Sequence, residues 1–177
     1  MNGANHGRIL IVDDDQANRE AFLELIAEHD FATEAAADGP DALALIETRE
    51  FDVVLLDISM PGMDGFEVLR RIRAVHPPTS LPVIMMTGID QRGAVLEALQ
   101  LGASDYVVKP FDFAVALARI RTQLSLKRAV DHIVRLERDV EKKNRELQQA
   151  NTELKEAYGQ IKSDLEAAAQ VQRALLP

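Results

Sequence analysis

The chain has 177 residues, a formal net charge of −9 and no cysteine. The lack of cysteine excludes a disulfide framework and a thiolate metal site, and it agrees with the cytoplasmic location that we expect. The acidic excess lies before Lys127, so the chain lacks the basic stripe that general nucleic-acid binding requires. No apolar run is long enough to span a membrane, so we expect neither nucleic acid nor membrane as a partner.

Short apolar runs alternate with amphipathic segments of helical period from residue 8 to about residue 125. The runs predict strands at about 8–12, 31–36, 52–56, 81–86 and 104–108. Between them, apolar residues at spacings of three and four predict helices. Alternating strands and helices indicate right-handed crossovers, so we predict an α/β fold with a five-stranded, doubly wound parallel sheet. The second run is the least apolar, which predicts that this strand lies at an edge of the sheet.

Polar side chains follow four of the predicted strands, at the point where each strand ends. They are Asp13 and Asp14 after the first strand, Asp57 after the third, Thr87 after the fourth and Lys109 after the fifth. Ligands of an open parallel sheet bind at the carboxyl ends of the strands, so we expect these side chains to converge. The alternative is that the aspartates from Asp13 to Asp15 only cap the following helix. The additional carboxylate of Asp57 favours a shared site.

Three carboxylates, a hydroxyl and an ammonium group predict a site for a divalent cation, Mg²⁺ or Mn²⁺, and a phosphoryl group. In such a site Asp57 can act as a nucleophile and form an aspartyl phosphate. The cation and Lys109 would neutralise the charge of the transferred group, and Thr87 would donate a hydrogen bond to it. Taken alone, Lys109 would be interpreted as a surface lysine and Thr87 as a hydroxyl at the end of a strand. The prediction of a phosphoryl site therefore depends on the placement of these side chains together.

Four motifs at these strand ends resemble those of the response-regulator receiver domains of bacterial two-component signalling. They are Ile11–Asp15, Asp57–Gly65, Met86–Gly88 and Asp105–Phe111. The resemblance implies a flavodoxin-like fold that accepts phosphate from a sensor histidine kinase or phosphotransfer protein and has no enzymatic activity of its own. Asp13 and Asp15 also satisfy the Asp-x-Asp spacing of haloacid-dehalogenase-type phosphatases, but the loop after Asp57 and the Lys109-Pro110 pair fit the receiver.

The resemblance also implies a role for each site residue. Asp57 would be the phospho-acceptor, paired with Lys109 through the phosphoryl group. The Mg²⁺ ligands would be Asp14 directly, Asp13 largely through water, the Asp57 carboxylate and the backbone carbonyl of Ser59. Thr87 and Tyr106 would form a switch pair, and the Lys109–Pro110 peptide bond would be cis.

After Pro110 the sequence changes to a long segment that predicts one continuous helix. Apolar residues recur every seven positions, at Leu126, Ile133, Val140, Leu147, Leu154, Ile161, Ala168 and Leu175. This repeat is typical of a coiled coil. The companion row is poorer whether it is taken three or four residues on, and it includes Asn144 and Asn151. Because asparagine in a coil core favours parallel dimers, we predict a parallel homodimer with a possible stutter. A lone solvated helix is the alternative.

These patterns predict a disordered leader over residues 1–7, a receiver domain over 8–125 and a coiled-coil dimerisation and signal-transmission helix over 126–177. The ending Asp164–Pro177 resembles the linker that opens PPM-type serine phosphatase domains of the sporulation and stress-regulator class. The resemblance implies a phosphatase output domain after Pro177 that acts on a regulatory protein such as an anti-sigma-factor antagonist. A nucleotide cyclase or a cyclic-nucleotide phosphodiesterase is the alternative output.

Overall fold

The predicted strands and helices alternate along the chain in a computed structural model that describes residues 7–88 and 92–175. The strands are β1 (Arg8–Val12), β2 (Ala32–Ala36), β3 (Val53–Asp57), β4 (Val83–Gly88) and β5 (Asp105–Lys109). The helices are α1 (Gln16–Ala27), α2 (Gly39–Thr48), α3 (Gly65–Val75), α4 (Arg92–Gln100) and α5 (Phe113–Leu175). The predicted strands therefore match the observed ones to within two residues at each end.

The five strands form one parallel sheet in the order β2-β1-β3-β4-β5. In this register Val12 lies opposite Leu56, and Asp57 lies opposite Met86. The carboxyl ends of β1, β3 and β4 therefore reach the same level at one edge of the sheet. The predicted α/β fold is confirmed, and β2 lies at an edge of the sheet as its weaker apolar run predicted.

Two apolar clusters cover the two faces of the sheet. Leu10, Val54 and Met85 pack on one face with residues of α2 and α3. Ile9, Leu55 and Ile84 pack on the other face with residues of α1 and α5. Successive side chains of a strand point to opposite faces, so the central strands must be apolar at every position. This requirement explains their continuous apolar runs in the sequence.

Aspartate side chains cap the first three helices. Asp15, Asp38 and Asp64 precede α1, α2 and α3, and each carboxylate accepts a hydrogen bond from a backbone N–H of the first turn. These bonds satisfy donors that would otherwise lack a partner in the helix. Asp15 is thus the residue of the aspartate triplet that caps α1.

The last helix, α5, is 63 residues long, which confirms the predicted long C-terminal helix. The chain divides into two units between Asp131 and His132. Within the first unit, Ala116, Ile120 and Leu124 of α5 pack in the sheet core. In the second unit, the side chains are exposed as far as the structure describes them. Among the described helices, none has a stretch long and apolar enough to cross a membrane.

Some sequence predictions concern the ends of the chain. Residues 1–6 of the predicted leader lie outside the described residues, whereas Gly7 is buried and its carbonyl accepts a hydrogen bond from Ala32 N at 3.0 Å. Residues 176–177, which complete the phosphatase-like ending, also lie outside the described residues. The predicted domain boundaries at 8–125 and 126–177 stay predictions.

Candidate functional site

Three carboxylates meet at the carboxyl ends of β1 and β3. Asp13, Asp14 and Asp57 each offer a carboxylate oxygen, and these oxygens lie within 4.8 Å of one another. Asp13 is 0% and Asp57 is 3% exposed, whereas Asp14 faces solvent. The parallel register produces this cluster because it ends both strands at the same level. Two carboxylates of the cluster, those of Asp13 and Asp57, are thus buried, and the carboxylate of Asp14 is exposed to solvent.

Lys109 brings a positive charge to the same place from the end of β5. Its ammonium Nζ lies 2.9 Å from Asp13 Oδ2 and 2.9 Å from Asp57 Oδ1. One ammonium group thus joins carboxylates that are 44 residues apart in the chain. The Lys109–Pro110 peptide bond is cis. These contacts bring together four of the five side chains that the sequence placed at the strand ends.

The protonation equilibria of Asp57 and Lys109 reflect this crowding. Burial raises the pKa of Asp57, the contacts with Lys109 lower it, and the charge of Asp13 raises it, with a net rise. Burial by itself lowers the pKa of Lys109, but the hydrogen bonds and charges of Asp57 and Asp13 more than offset burial, so that this pKa is raised. The ammonium form of Lys109 is therefore stabilised next to the carboxylates of Asp13 and Asp57.

The donor set fits a hard divalent cation. All three ligand groups are carboxylates, which Mg²⁺ prefers over nitrogen or sulfur ligands. Three carboxylates and one ammonium also leave a net negative charge around two buried groups, Asp13 and Asp57. Buried charge is costly unless it is paired or bound to a metal, so a cation completes the charge balance of this cluster.

The loop after β3 closes one side of the cluster. A backbone hydrogen bond from Ser59 reaches the Asp57 carboxylate, and the N–H of Gly65 donates to Ile58 O at 3.0 Å. A Cβ at Gly65 would lie 2.1 Å from Asp57 O. Only glycine allows α3 to begin this close to the strand that carries Asp57.

The predicted switch residues lie on β4 and β5. Thr87 is buried at the end of β4, and its hydroxyl donates to Gly88 O at 3.3 Å. Tyr106 is half-buried and packs against one of the apolar clusters. The guanidinium of Arg119 lies over the Tyr106 ring and also pairs with Asp105. Both predicted residues therefore belong to the part of the sheet next to Lys109.

Three residues of the site were missed by the sequence reasoning. Asn18 and Arg19, on the first turns of α1, donate to the carboxylate and to the backbone carbonyl of Asp13 respectively. Arg119, on α5, contacts Tyr106. The available signal was position, because Asn18 lies in the first turn of the helix that directly follows the strand end carrying Asp13. No comparable signal exists for Arg119, which reaches Tyr106 from another element.

The chain belongs to the family of response regulator receiver domains, because the model of that family matches residues 9–121. Receiver domains take phosphate from histidine kinases, bind Mg²⁺ at an acidic pocket and have no catalytic activity of their own. The cluster of Asp13, Asp14 and Asp57 is such a pocket. The predicted resemblance to this family is thus confirmed.

Individual relatives agree with this assignment. The chain is 40% identical over 127 residues to the response regulator PleD of Caulobacter vibrioides, covering 71% of this chain and 28% of PleD. It is 40% identical over 134 residues to the transcriptional activator protein IrlR of Burkholderia pseudomallei, covering 76% of this chain and 57% of IrlR. The chain therefore spans a minor part of PleD and little more than half of IrlR.

Solved structures show the same fold. The CheY-like receiver domain protein of Methanospirillum hungatei superimposes with a TM-score of 0.65 at 32% identity, covering 69% of this chain and 96% of that one. A two-component response regulator with a GGDEF domain superimposes with a TM-score of 0.67 at 26% identity, covering 70% of this chain and 51% of that one.

Proposed function

We propose that this chain is a phosphorylatable switch in which Asp57 accepts the phosphoryl group from a sensor histidine kinase or phosphotransfer protein. The observation that carries the proposal is the position of Lys109 Nζ, 2.9 Å from both the Asp13 and the Asp57 carboxylates. An ammonium group at this position stabilises the negative charge of a phosphoryl group bound at Asp57, and it is already in place before the phosphoryl group arrives.

The transfer step follows from the groups present. A carboxylate oxygen of Asp57 bonds to phosphorus while the bond between phosphorus and the donor imidazole nitrogen breaks. The imidazole keeps the electron pair of that bond and takes a proton from water. Lys109 then exchanges a carboxylate contact for a phosphoryl oxygen, and the Thr87 hydroxyl donates to a second phosphoryl oxygen.

The residues proposed to hold Mg²⁺ are Asp14, Asp57 and the Ser59 backbone carbonyl, with Asp13 acting largely through water. The exposed position of Asp14 beside two buried carboxylates supports this division. When bound, the ion supplies positive charge to the phosphoryl oxygens. Mn²⁺ has the same ligand preference and is expected to substitute for it.

Thr87 and Tyr106 are proposed to carry the signal away from Asp57. Movement of the Thr87 hydroxyl toward the phosphoryl group frees space next to β5, and the ring of Tyr106 moves into it. Tyr106 already packs against the apolar cluster, so its movement repacks the face formed by α4, β5 and the start of α5. Packed interfaces of this kind have discrete arrangements, which converts a small displacement into a two-state change.

The C-terminal part of α5 is proposed to form a parallel two-stranded coiled coil. Six residues of the apolar row are each 54–67% exposed to solvent: Leu126, Ile133, Val140, Leu147, Leu154 and Ile161. A continuous exposed apolar row on a helix is buried by association with another helix. Asn144 and Asn151 in the companion row favour the parallel arrangement of two copies.

The output domain is proposed to be a PPM-type serine phosphatase that acts on a protein such as an anti-sigma-factor antagonist. The support is the sequence Asp164–Pro177, which resembles the linker of such phosphatases. A nucleotide cyclase or a cyclic-nucleotide phosphodiesterase is the second candidate. The cyclase alternative is supported by two similar structures of response regulators that carry a GGDEF domain.

The experiment that tests the phospho-acceptor assignment is labelling with a small-molecule phosphodonor such as acetyl phosphate in the presence of Mg²⁺. We expect the wild-type chain to take up one phosphoryl group and Asp57→Asn to take up none, because an amide is not a nucleophile here. Asp41→Asn, on α2, is the matched control and should label like the wild type. Equal labelling of Asp57→Asn and the wild type would refute the assignment.

A further inference from the structure

The buried carboxylate of Asp13 accepts hydrogen bonds from Asp15, Asn18 and Lys109. Its Oδ1 accepts a hydrogen bond from Asp15 N at 2.9 Å, and its Oδ2 accepts from Lys109 Nζ at 2.9 Å. The side-chain amide of Asn18 contacts both oxygens, with Nδ2 at 3.1 Å from Oδ2 and 3.4 Å from Oδ1. Asn18 is therefore the second donor to the oxygen that Lys109 also contacts.

Lys109 gains a further acceptor in the proposed reaction. Its ammonium group is shared between Asp13 and Asp57, and a phosphoryl oxygen on Asp57 then competes with Asp13 for the three N–H donors of Lys109. A carboxylate that is 0% exposed cannot replace a lost donor with bulk water, and an unsatisfied buried charge is costly. A second donor on Asp13 Oδ2 therefore keeps this carboxylate paired when Lys109 turns toward the phosphoryl oxygen.

We propose that Asn18 is a positioning residue that holds Asp13 while Lys109 moves to the phosphoryl group. The side chain comes from the first turn of α1, which Asp15 caps through Ala17 N and Asn18 N. The Asp15 cap holds the first turn of α1 in place and thereby holds the Asn18 amide against the Asp13 carboxylate. Asn18 touches neither the phosphoryl group nor the cation in this proposal, and it acts only through Asp13.

The neighbouring donors cannot do the same work. Arg19 Nη1 donates to the backbone carbonyl of Asp13 at 2.7 Å, so it fixes the main chain and does not hold the carboxylate. Asp15 N binds Oδ1, which is the other oxygen. Without Asn18, Lys109 would be the remaining described donor to Oδ2 and would be held more tightly on Asp13. It would then be less available to the phosphoryl group.

The inference rests on the proposed function, and its test separates the two. Asn18→Leu keeps the side-chain volume without a donor, and Asn18→Gln keeps the amide. Gln16→Leu is the matched control, because Gln16 is an exposed residue of the same turn whose amide binds Glu20. The first measurement is the rate of labelling by acetyl phosphate at saturating Mg²⁺. The second is the Mg²⁺ concentration that gives half of the metal-induced rise in unfolding temperature, which needs no phosphorylation.

We expect Asn18→Leu to lower the labelling rate about tenfold and to raise the half-saturating Mg²⁺ concentration, as is usual for groups that orient metal-site carboxylates. Asn18→Gln should recover most of the rate, and Gln16→Leu should match the wild type in both measurements. Wild-type values for Asn18→Leu in both measurements, or no recovery with Asn18→Gln, would overturn the inference and leave the role of Asp57 intact. Failure of the wild-type chain to label would overturn both.

Discussion

The guanidinium of Arg119 lies over the ring of Tyr106, 5.2 Å from its centroid. Asp105, the residue before Tyr106, pairs with the same guanidinium and also accepts a hydrogen bond from Tyr106 N at 2.8 Å. Arg119 is therefore held by Asp105 in a position that covers one face of the aromatic ring. Because Tyr106 is the proposed switch aromatic, this contact stabilises the ring in its present orientation.

Removal of the guanidinium should release the ring. The chain has no tryptophan and two tyrosines, so in a Tyr158→Phe background Tyr106 is the only source of tyrosine fluorescence. In that background we expect Arg119→Ala to increase the quenching of Tyr106 by acrylamide and to lower the free energy of unfolding by about 1 kcal/mol. Arg121→Ala, whose side chain faces His29, is the control. The same quenching in both variants would contradict the proposed contact.

The approach of α3 to Asp57 predicts a strict requirement for glycine at position 65. Gly65→Ala would place a Cβ 2.1 Å from Asp57 O and 2.9 Å from Ile58 Cα. Both neighbours belong to the backbone, so relief requires that α3 or β3 move. We expect a loss of about 2–3 kcal/mol in the free energy of unfolding, measured by urea titration. Gly93→Ala in α4, where a Cβ would meet nothing within 4 Å, should keep or slightly raise the wild-type stability, because alanine favours a helix more than glycine does. Equal stability of the two variants would show that the helix adapts freely.

The ion pair between Asp52 and Lys127 predicts a pH dependence of stability. Lys127 Nζ lies 2.7 Å from Asp52 Oδ1, and Arg8 N donates to Asp52 Oδ2 at 2.8 Å. Burial by itself raises the pKa of Asp52, but these contacts outweigh it and lower the pKa. A lowered carboxyl pKa adds stability that is complete above the unfolded-state value of about 3.9 and is lost as the pH falls through the folded-state value.

Asp52→Asn should therefore be less stable than the wild type at pH 7 by about 1 kcal/mol, a small effect because solvent reaches the pair. The difference should shrink as the pH falls below about 4, where the wild-type carboxyl also loses its charge. Thermal unfolding of both proteins across this range measures the effect. Asp139→Asn, an exposed position of α5, should show no such trend. A difference that is constant with pH would contradict the assigned pKa shift.

Burial of the apolar row in a coiled coil predicts that single polar substitutions within it weaken the dimer. Leu147→Lys removes one buried leucine from each of two chains, which should weaken dimerisation by at least about 100-fold, measured by sedimentation equilibrium. Gln149→Lys, on the opposite side of the helix, is the control. A single Leu147→Cys in this cysteine-free chain should form a disulfide-linked dimer if the helices are parallel. A monomeric wild-type chain would contradict the coil.

The sequence predicted those parts of the site that depend on backbone direction. Apolar runs located the strands, and the parallel sheet then placed Asp13, Asp57 and Lys109 at one edge. The sequence alone could not identify the aspartate of the triplet that caps α1, because all three precede the helix. Contacts between distant side chains were also not predictable, since no local pattern encodes them. Arg73 illustrates this: its guanidinium donates to the carbonyls of Gly102, His76 and Leu81.

The central claim is that the cluster at the ends of β1, β3 and β5 is one cation-dependent phosphoryl site. Its most direct test is the intact mass of the wild-type chain after exposure to a phosphodonor with Mg²⁺ or with a chelator, followed by mapping of the modified peptide. We expect a single phosphoryl group on Asp57 with Mg²⁺ and little or none with the chelator. Phosphorylation at another residue, or at Asp57 to the same extent without a divalent cation, would contradict the claim.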